Sequence, residues 1–348
     1  MRSSFSRLFG NTAAKARLSR AVLSGTLSHA LLIVGPKGSG RNTLATELAA
    51  ALVCENKNDP SYALPCAECR NCRRIYSGNF PDLSYLKREQ GKATIGADEV
   101  RAFREEMFLS ATEAEKKVYI ISEAEALTPQ AQNALLKVLE EPPSDVHIFL
   151  IAANTDSILS TIKSRTQLIQ TEIFDPDREE ELVCRLSEGA RALRKSDPDK
   201  LRSVILSSGG VIGNALVGLD ERQIAESEQR RARVMALVLA MPGKTPFSKI
   251  YSAVMALPDK RADLRILLED TVTAISDMLI SKKCENTAPR FFISRDECCE
   301  ASAAISAQRL TAIYDVFARA IEDLDKNVLI SPLLTDIAVA IKEAEKGK

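Results

Sequence analysis

Ala30-Leu-Leu-Ile-Val-Gly-Pro-Lys-Gly-Ser-Gly-Arg-Asn-Thr43 runs from five apolar residues through a glycine turn into a helix-like segment, Thr43–Cys54. Strand, glycine loop, helix is the context of a phosphate-binding loop, in which backbone N–H groups at a helix N-terminus wrap an anion. Gly35, Gly38 and Gly40 stand where such a loop needs them. The residues that would do chemistry do not. Arg41 holds the position of the lysine that reaches the outer phosphates, and a planar guanidinium is no simple substitute for a compact ammonium. Asn42 offers an amide where a hydroxyl would ligate Mg²⁺, and Thr43 comes one residue late. Taken alone, a plain glycine turn and a phosphate site fit this stretch equally well.

A nucleotide site needs a second half, an apolar strand ending in two acids. Val118-Tyr-Ile-Ile121 is such a strand, but it ends in Ser122-Glu123. Lysine, hydroxyl and aspartate, all serving one metal and one phosphate, are therefore each replaced. Phosphoryl transfer is catalysed by positioning and charge, so the pattern predicts a retained fold without hydrolysis and leaves ATP binding in doubt.

Further strands are predicted at Leu83–Leu86, Ile148–Ala153 and Gln167–Gln170, with helices at Ala97–Leu109, Pro129–Glu140 and Asp156–Ser160. Alternating strands and helices imply a parallel α/β sheet covered on both faces. Asp175-Pro-Asp177 ends this texture. A helix over Arg178–Leu193, a second over Asp199–Ser207 and a third over Gly213–Leu219 follow. Beyond Glu221 the pattern is helical throughout. Leu264, Leu267, Leu268, Thr271, Ile275, Met278 and Leu279 lie on one helix face, as do Leu310, Ile313, Phe317, Ala320, Ile321 and Leu324.

The 348 residues exceed what one core usually serves, and 45% hydrophobic with 27% charged residues is ordinary globular composition. Net charge is zero, from 47 basic and 47 acidic residues, which argues against a general nucleic-acid coat. Residues 1–50 are locally basic, with seven Lys or Arg against one Glu; this reads first as a solvated face, and only second as a surface for DNA or a partner. Aromatic residues are 5% and Trp is absent, so base-stacking platforms are not indicated. No apolar run approaches the roughly 18 residues of a membrane span, and the scattered charges of the first 20 residues do not resemble a secretory signal. A cytoplasmic protein without membrane contact is expected.

Cys54, Cys66, Cys69 and Cys72 fall within 19 residues, the last three at three-residue intervals. In a reducing compartment this spacing points to metal, and four thiolates favour a closed, structural Zn²⁺ site. Cys184, Cys284, Cys298 and Cys299 have no ligand spacing and read as small buried residues. His29 and His147 adjoin apolar strands and read as packing residues. Ser164-Arg165-Thr166 sits between helix and strand; by itself Arg165 reads as a local salt-bridge partner, although such a residue can also reach a neighbour's γ-phosphate.

Phe9-Gly-Asn11, Ser28-His-Ala-Leu-Leu32, Gly35–Gly40, the four cysteines, Asn133-Ala-Leu-Leu-Lys-Val-Leu-Glu-Glu-Pro-Pro143 and Ser164-Arg165 together resemble the bacterial clamp loader subunits of DNA polymerase III. The resemblance covers about residues 5–220, and the eleven residues from Asn133 are its most specific part. Within that family the degraded Arg41, Asn42 and Ser122 resemble the delta-prime type rather than the ATP-hydrolysing gamma/tau type. The resemblance implies a RecA-like AAA+ domain over residues 1–172 with a zinc module at 54–72, a helical lid of three helices over 173–220, and a helical collar over 221–348 that joins a hetero-pentamer. It implies gamma/tau and delta subunits, the sliding clamp and primer–template DNA as partners. It also turns the reading of Arg165: held by Ser164 and the following strand, it becomes an arginine finger acting on a neighbour's ATP. Glu123 would be the remaining acid of the degraded site, and Asn154 would orient a phosphate or water. Two departures stand out, Thr166 where the family has Cys, and Asn214 where the active subunits place an Arg. The alternatives are a gamma/tau-like ATPase with a tolerant loop, or a scaffold outside replication.

Overall fold

The computed structural model describes residues 4–89, 91–109, 111–241, 245–284, 287, 289–326 and 328–344. It divides into two compact units, Met1–Ile173 and Phe174–Lys348.

The first unit is a parallel α/β layer structure. Its five strands are β1 Ala30–Val34, β2 Leu83–Leu86, β3 Lys117–Ile121, β4 Val146–Ala152 and β5 Gln167–Gln170, in the order β2-β3-β4-β1-β5. All pairs are parallel. Every residue of β1, β3 and β4 is buried, as expected for central strands with helices on both faces. Alternate residues serve opposite faces. Leu31, Ile33, Val118, Ile120, Phe149 and Ile151 pack with helices α1 (Thr12–Leu23), α2 (Arg41–Val53) and α3 (Arg70–Tyr76). Leu32, Val34, Tyr119, Ile121, Ile148 and Leu150 pack with α4 (Ala97–Met107), α5 (Pro129–Glu140) and α6 (Ser160–Lys163).

Two sequence expectations shift here. The helix expected at Asp156–Ser160 forms instead at Ser160–Lys163, because Asn154 accepts from the Asp156 N–H at 3.1 Å and makes a turn. Helix α3 within the cysteine segment was not anticipated, since its buried face is made by Cys72 and Ile75 rather than by an apolar repeat.

The second unit is helical. Its first part comprises α7 (Pro176–Leu186), α8 (Glu188–Ser196), α9 (Pro198–Ser208) and α10 (Ile212–Gly218) around Leu182, Val183, Leu201, Ile205 and Ala215. Four helices replace the expected three. The predicted Arg178–Leu193 helix breaks at Ser187, an extended residue whose hydroxyl caps α8 by accepting from the Ala190 N–H at 3.2 Å. The remainder, α11 (Glu221–Ala240), α12 (Phe247–Met255), α13 (Arg261–Ser281), α14 (Arg295–Ala303), α15 (Ala307–Asp325) and α16 (Ile330–Glu343), surrounds a separate core containing Leu264, Leu268, Ile275, Phe292, Ile313 and Phe317. Cys184 and Cys298 are buried as expected. Cys284 and Cys299 are exposed, contrary to the reading of all four as buried fillers.

Glu179 on α7 is fully buried, accepts from the Ser208 hydroxyl at 2.6 Å, and is pushed up to about 7 by burial, with Ser208 and the Gly210 backbone pulling it back. A carboxyl raised above its unfolded value stabilises the fold below about pH 4.5, and that contribution is lost as pH rises through about 7. Glu179→Gln keeps the acceptor without the charge. The variant is expected to be more stable than wild type at pH 8 by roughly 1–3 kcal/mol, with the gain fading toward pH 5. Thermal melts across that range, compared between the two chains, measure it.

Candidate functional site

The glycine loop leaves the C-terminal end of β1 and is closed by its own chain. Gly35 N–H donates to the Ala152 carbonyl at 3.2 Å, and the Thr171 N–H donates to the Val34 carbonyl at 2.8 Å. The hydroxyls of Ser39 and Thr171 meet at 2.7 Å, both buried. A Cβ on Gly35 would lie 1.8 Å from Thr171 Oγ1 and 2.8 Å from Ser39 Oγ, so close approach fixes glycine there. Gly40 has φ +86° and lies against Leu8, whose Cδ1 would be 2.8 Å from an added Cβ. Gly35→Ala is therefore expected to cost about 1–3 kcal/mol of stability. Most of that loss should be relieved by Thr171→Ala in the same chain, which denaturant unfolding of the single and double variants would register.

Around this loop the structure brings together Arg41, Asn42, Glu123 and Asn154, since β1, β3 and β4 are neighbours and all end on the same side of the sheet. Asn42 is exposed. Glu123, in the left-handed region at φ 55°, is gripped by Arg88 through Nε at 2.9 Å, and this ion pair holds its carboxyl below the usual range. The side-chain oxygen of Asn154 is occupied by the Asp156 N–H. Arg41 is lowered by burial, opposed by the charges of Glu125 and Glu123, and its Nη1 is buried without a partner among the described residues. Arg88 and Glu125 were not anticipated from the sequence; they flank Glu123 in space and by two residues, with no motif to flag them.

The four cysteines converge. Cys54 ends α2, Cys69 caps α3 by accepting from the Cys72 N–H, and all four sulfurs are buried within 4.8 Å of one another. The Cys66 and Cys72 sulfurs are 3.9 Å apart. A tetrahedral ion with metal–sulfur bonds of about 2.3 Å separates its ligands by about 3.8 Å. Cys69 N–H donates to Cys66 Sγ at 3.3 Å, Cys72 N–H to Cys69 Sγ at 3.4 Å, and Asn56 to Cys66 Sγ at 3.6 Å. Such bonds favour thiolates and orient them. Hydrogen bonding from Cys72 draws Cys54 down to about 5, while the same bond and burial push Cys72 up. Cys54 is thus drawn toward its thiolate, while burial pushes Cys69 the other way as it does Cys72. These residues fit a four-coordinate metal ion.

The cluster is tied to the glycine loop through the chain's start. Phe5 N–H donates to the Leu64 carbonyl at 2.7 Å, and Phe5 and Leu8 are buried in the same core as Cys72 and Leu48. Arg7 lies 3.5 Å over the Tyr76 ring, and Tyr76 donates to the fully buried Glu47 of α2.

Arg165 lies elsewhere. It precedes β5 by two residues, and β5 pairs with β1 from Leu31↔Gln167 to Val34↔Gln170. The glycine loop follows Val34, so a strand length, on the order of 13 Å, separates Arg165 from its own chain's loop. Ser164 is exposed; its hydroxyl donates to the Thr161 carbonyl at 3.0 Å and accepts from Arg165 Nη1 at 3.1 Å. Thr166 Oγ1 donates to the Ile162 carbonyl at 3.0 Å, so the substituted residue still anchors the turn.

Residues 10–175 match the family model described as DNA polymerase III, delta subunit. DNA polymerase III subunit delta' of Bacillus subtilis (strain 168) is 41% identical over 150 residues, which are 43% of this chain and 44% of that relative. The same subunit of Escherichia coli (strain K12) is 32% identical over 243 residues, covering 70% of this chain and 68% of the relative. The chain belongs to the DNA polymerase III delta' family. DNA polymerase III subunit gamma/tau of Mycobacterium tuberculosis (strain ATCC 25618 / H37Rv) is also similar, 28% identical over 90% of this chain and 56% of that protein. The Bacillus delta' match thus spans under half of that relative, and the family model's match, residues 10–175, falls almost wholly in the α/β unit. Among the described residues no helix is long and apolar enough to cross a membrane.

Proposed function

We propose that this delta' family chain is a cytoplasmic clamp loader subunit that hydrolyses no ATP itself and lends Arg165 to the ATP site of an adjacent gamma/tau subunit. The observation that carries this reading is the position of Arg165, at the opposite end of β5 from its own glycine loop, which supports a role at another subunit's site rather than its own. The glycine loop supports the other half. Its lysine, hydroxyl and first acid are Arg41, Asn42 and Ser122, and the remaining acid, Glu123, is spent on Arg88. In this reading Cys54, Cys66, Cys69 and Cys72 hold Zn²⁺, which supplies a cross-link between α2 and α3 and takes no part in hydrolysis. Residues 173–220 act as a lid and 221–348 as a collar that joins gamma/tau and delta subunits in a hetero-pentamer. That assembly would load the sliding clamp on primer–template DNA.

The test is reconstitution. Added to gamma/tau and delta subunits, the chain should enter a stable complex and raise ATP turnover while showing none alone. A gamma/tau-like ATPase is the second reading, favoured by the gamma/tau similarity over 90% of the chain. Turnover by the isolated chain would establish that reading instead.

A further inference from the structure

The guanidinium of Arg165 carries five N–H donors in a planar fork. Its own chain engages four of them among the described residues. Nε donates to Glu140 Oε1 at 2.7 Å and Nη2 reaches the same oxygen at 2.5 Å, while Nη1 donates to the Thr161 carbonyl at 3.0 Å and the Ser164 hydroxyl at 3.1 Å. A bidentate grip on a phosphate needs two N–H groups on one edge of the fork. The Nε–Nη2 edge is taken by Glu140, and the Nη1–Nη2 edge is half taken by Thr161 and Ser164.

Glu140 is oddly placed for any local purpose. It is the last residue of α5 and is followed by Glu141. Carboxylates at a helix C-terminus oppose the helix dipole, so helix stability does not explain this pair of acids. Their loop leads to the start of β4, on the same side of the sheet as Arg165. The side chains of Arg165 and Glu140 are 35% and 49% exposed, so solvent screens their attraction and a more highly charged anion can displace the carboxylate.

We propose that Glu140 is a positioning residue. It holds Arg165 against its own subunit and yields the Nε–Nη2 edge when the phosphates of a nucleotide on the neighbouring subunit compete for it. This rests on the reading of Arg165 as a finger. The exchange is one of hydrogen bonds only: two N–H donors leave a carboxylate oxygen for phosphate oxygens.

Glu140→Gln keeps the shape and an acceptor but removes the charge. In the reconstituted assembly, without clamp or DNA, this variant is expected to raise ATP turnover about two- to fivefold and lower KM, the range set by a screened surface pair. Glu140→Asp, which restores the charge, should return both toward wild type. In the isolated chain, NMR of the Arg165 Nε–H should show faster hydrogen exchange in Glu140→Gln. Unchanged exchange would show that the pair does not hold the arginine, and lower turnover would show that Glu140 is needed in the reacting geometry; either result overturns the proposal. Arg165→Ala separates the two readings. If it stops the neighbour's turnover while Glu140→Gln changes nothing, Glu140 alone has been misread. If Arg165→Ala leaves turnover intact, the finger itself is wrong and this proposal falls with it.

Discussion

Replacing Arg165 with alanine is expected to slow the neighbouring subunit's ATP hydrolysis by about 10³-fold or more in an assembly whose only competent ATP site adjoins this chain. That loss is about 4 kcal/mol of transition-state stabilisation, the lower end of what an arginine supplied in trans contributes. A structural role for Arg165 leads to different numbers. Its ion pair with Glu140 is partly exposed, and such pairs contribute about 0.2–1 kcal/mol to folding. The finger reading therefore expects nearly unchanged thermal stability with a collapse of turnover, and the structural reading expects a small loss of stability with turnover intact. Arg165→Lys should not rescue, because an ammonium lacks the planar fork that contacts phosphate oxygens in pairs. Single-turnover hydrolysis by the three assemblies, beside melts of the isolated chains, measures both quantities.

The second large effect follows from the proposed zinc site at the four cysteines. Cys72→Ser is expected to take zinc content from one per chain to near zero, and to lower the stability of the α/β unit by about 4 kcal/mol or more. For a unit of this size that corresponds to a fall of roughly 8–16 °C in melting temperature. Cys72 is fully buried and packs in one core with Phe5, Leu8 and Leu48, so losing the ion strands buried thiols and loosens the contact that carries the chain's start to Gly40. Cys299→Ser, at an exposed position in the other unit, should change neither quantity. Metal analysis and calorimetry of the two variants check this. Full stability in a zinc-free Cys72→Ser chain would mean that the cluster is an ordinary set of buried thiols.

What the sequence disclosed followed the range over which its signals act. Ala30–Val34, Leu83–Leu86 and Gln167–Gln170 were read to the residue, because apolar runs bounded by polar residues encode strands locally. The cysteine cluster was legible from spacing alone. Helix α3 was not, since Cys69, Cys72 and Ile75 supply its buried side without an apolar repeat long enough to recognise. The Arg178–Leu193 helix was read through Ser187, whose capping role depends on a backbone geometry that a helix-period pattern does not reveal. At the candidate site, the altered positions Arg41, Asn42 and Ser122 were visible as departures from a motif. Their consequences were not: Ser39 meets Thr171 across 132 residues, Glu123 meets Arg88 across 35, and Arg165 meets Glu140 across 25. Only the sheet register placed Arg165 and the glycine loop at opposite ends of β5.

The most direct measurement uses an assembly in which every partner subunit carries a hydrolysis-dead ATP site and only this chain keeps its natural sequence. Such an assembly should turn over no ATP above the background, with or without clamp and DNA. Turnover that disappears when Arg41 is replaced would contradict the account, because the loop at Gly35–Asn42 would then be a working ATPase site of this chain.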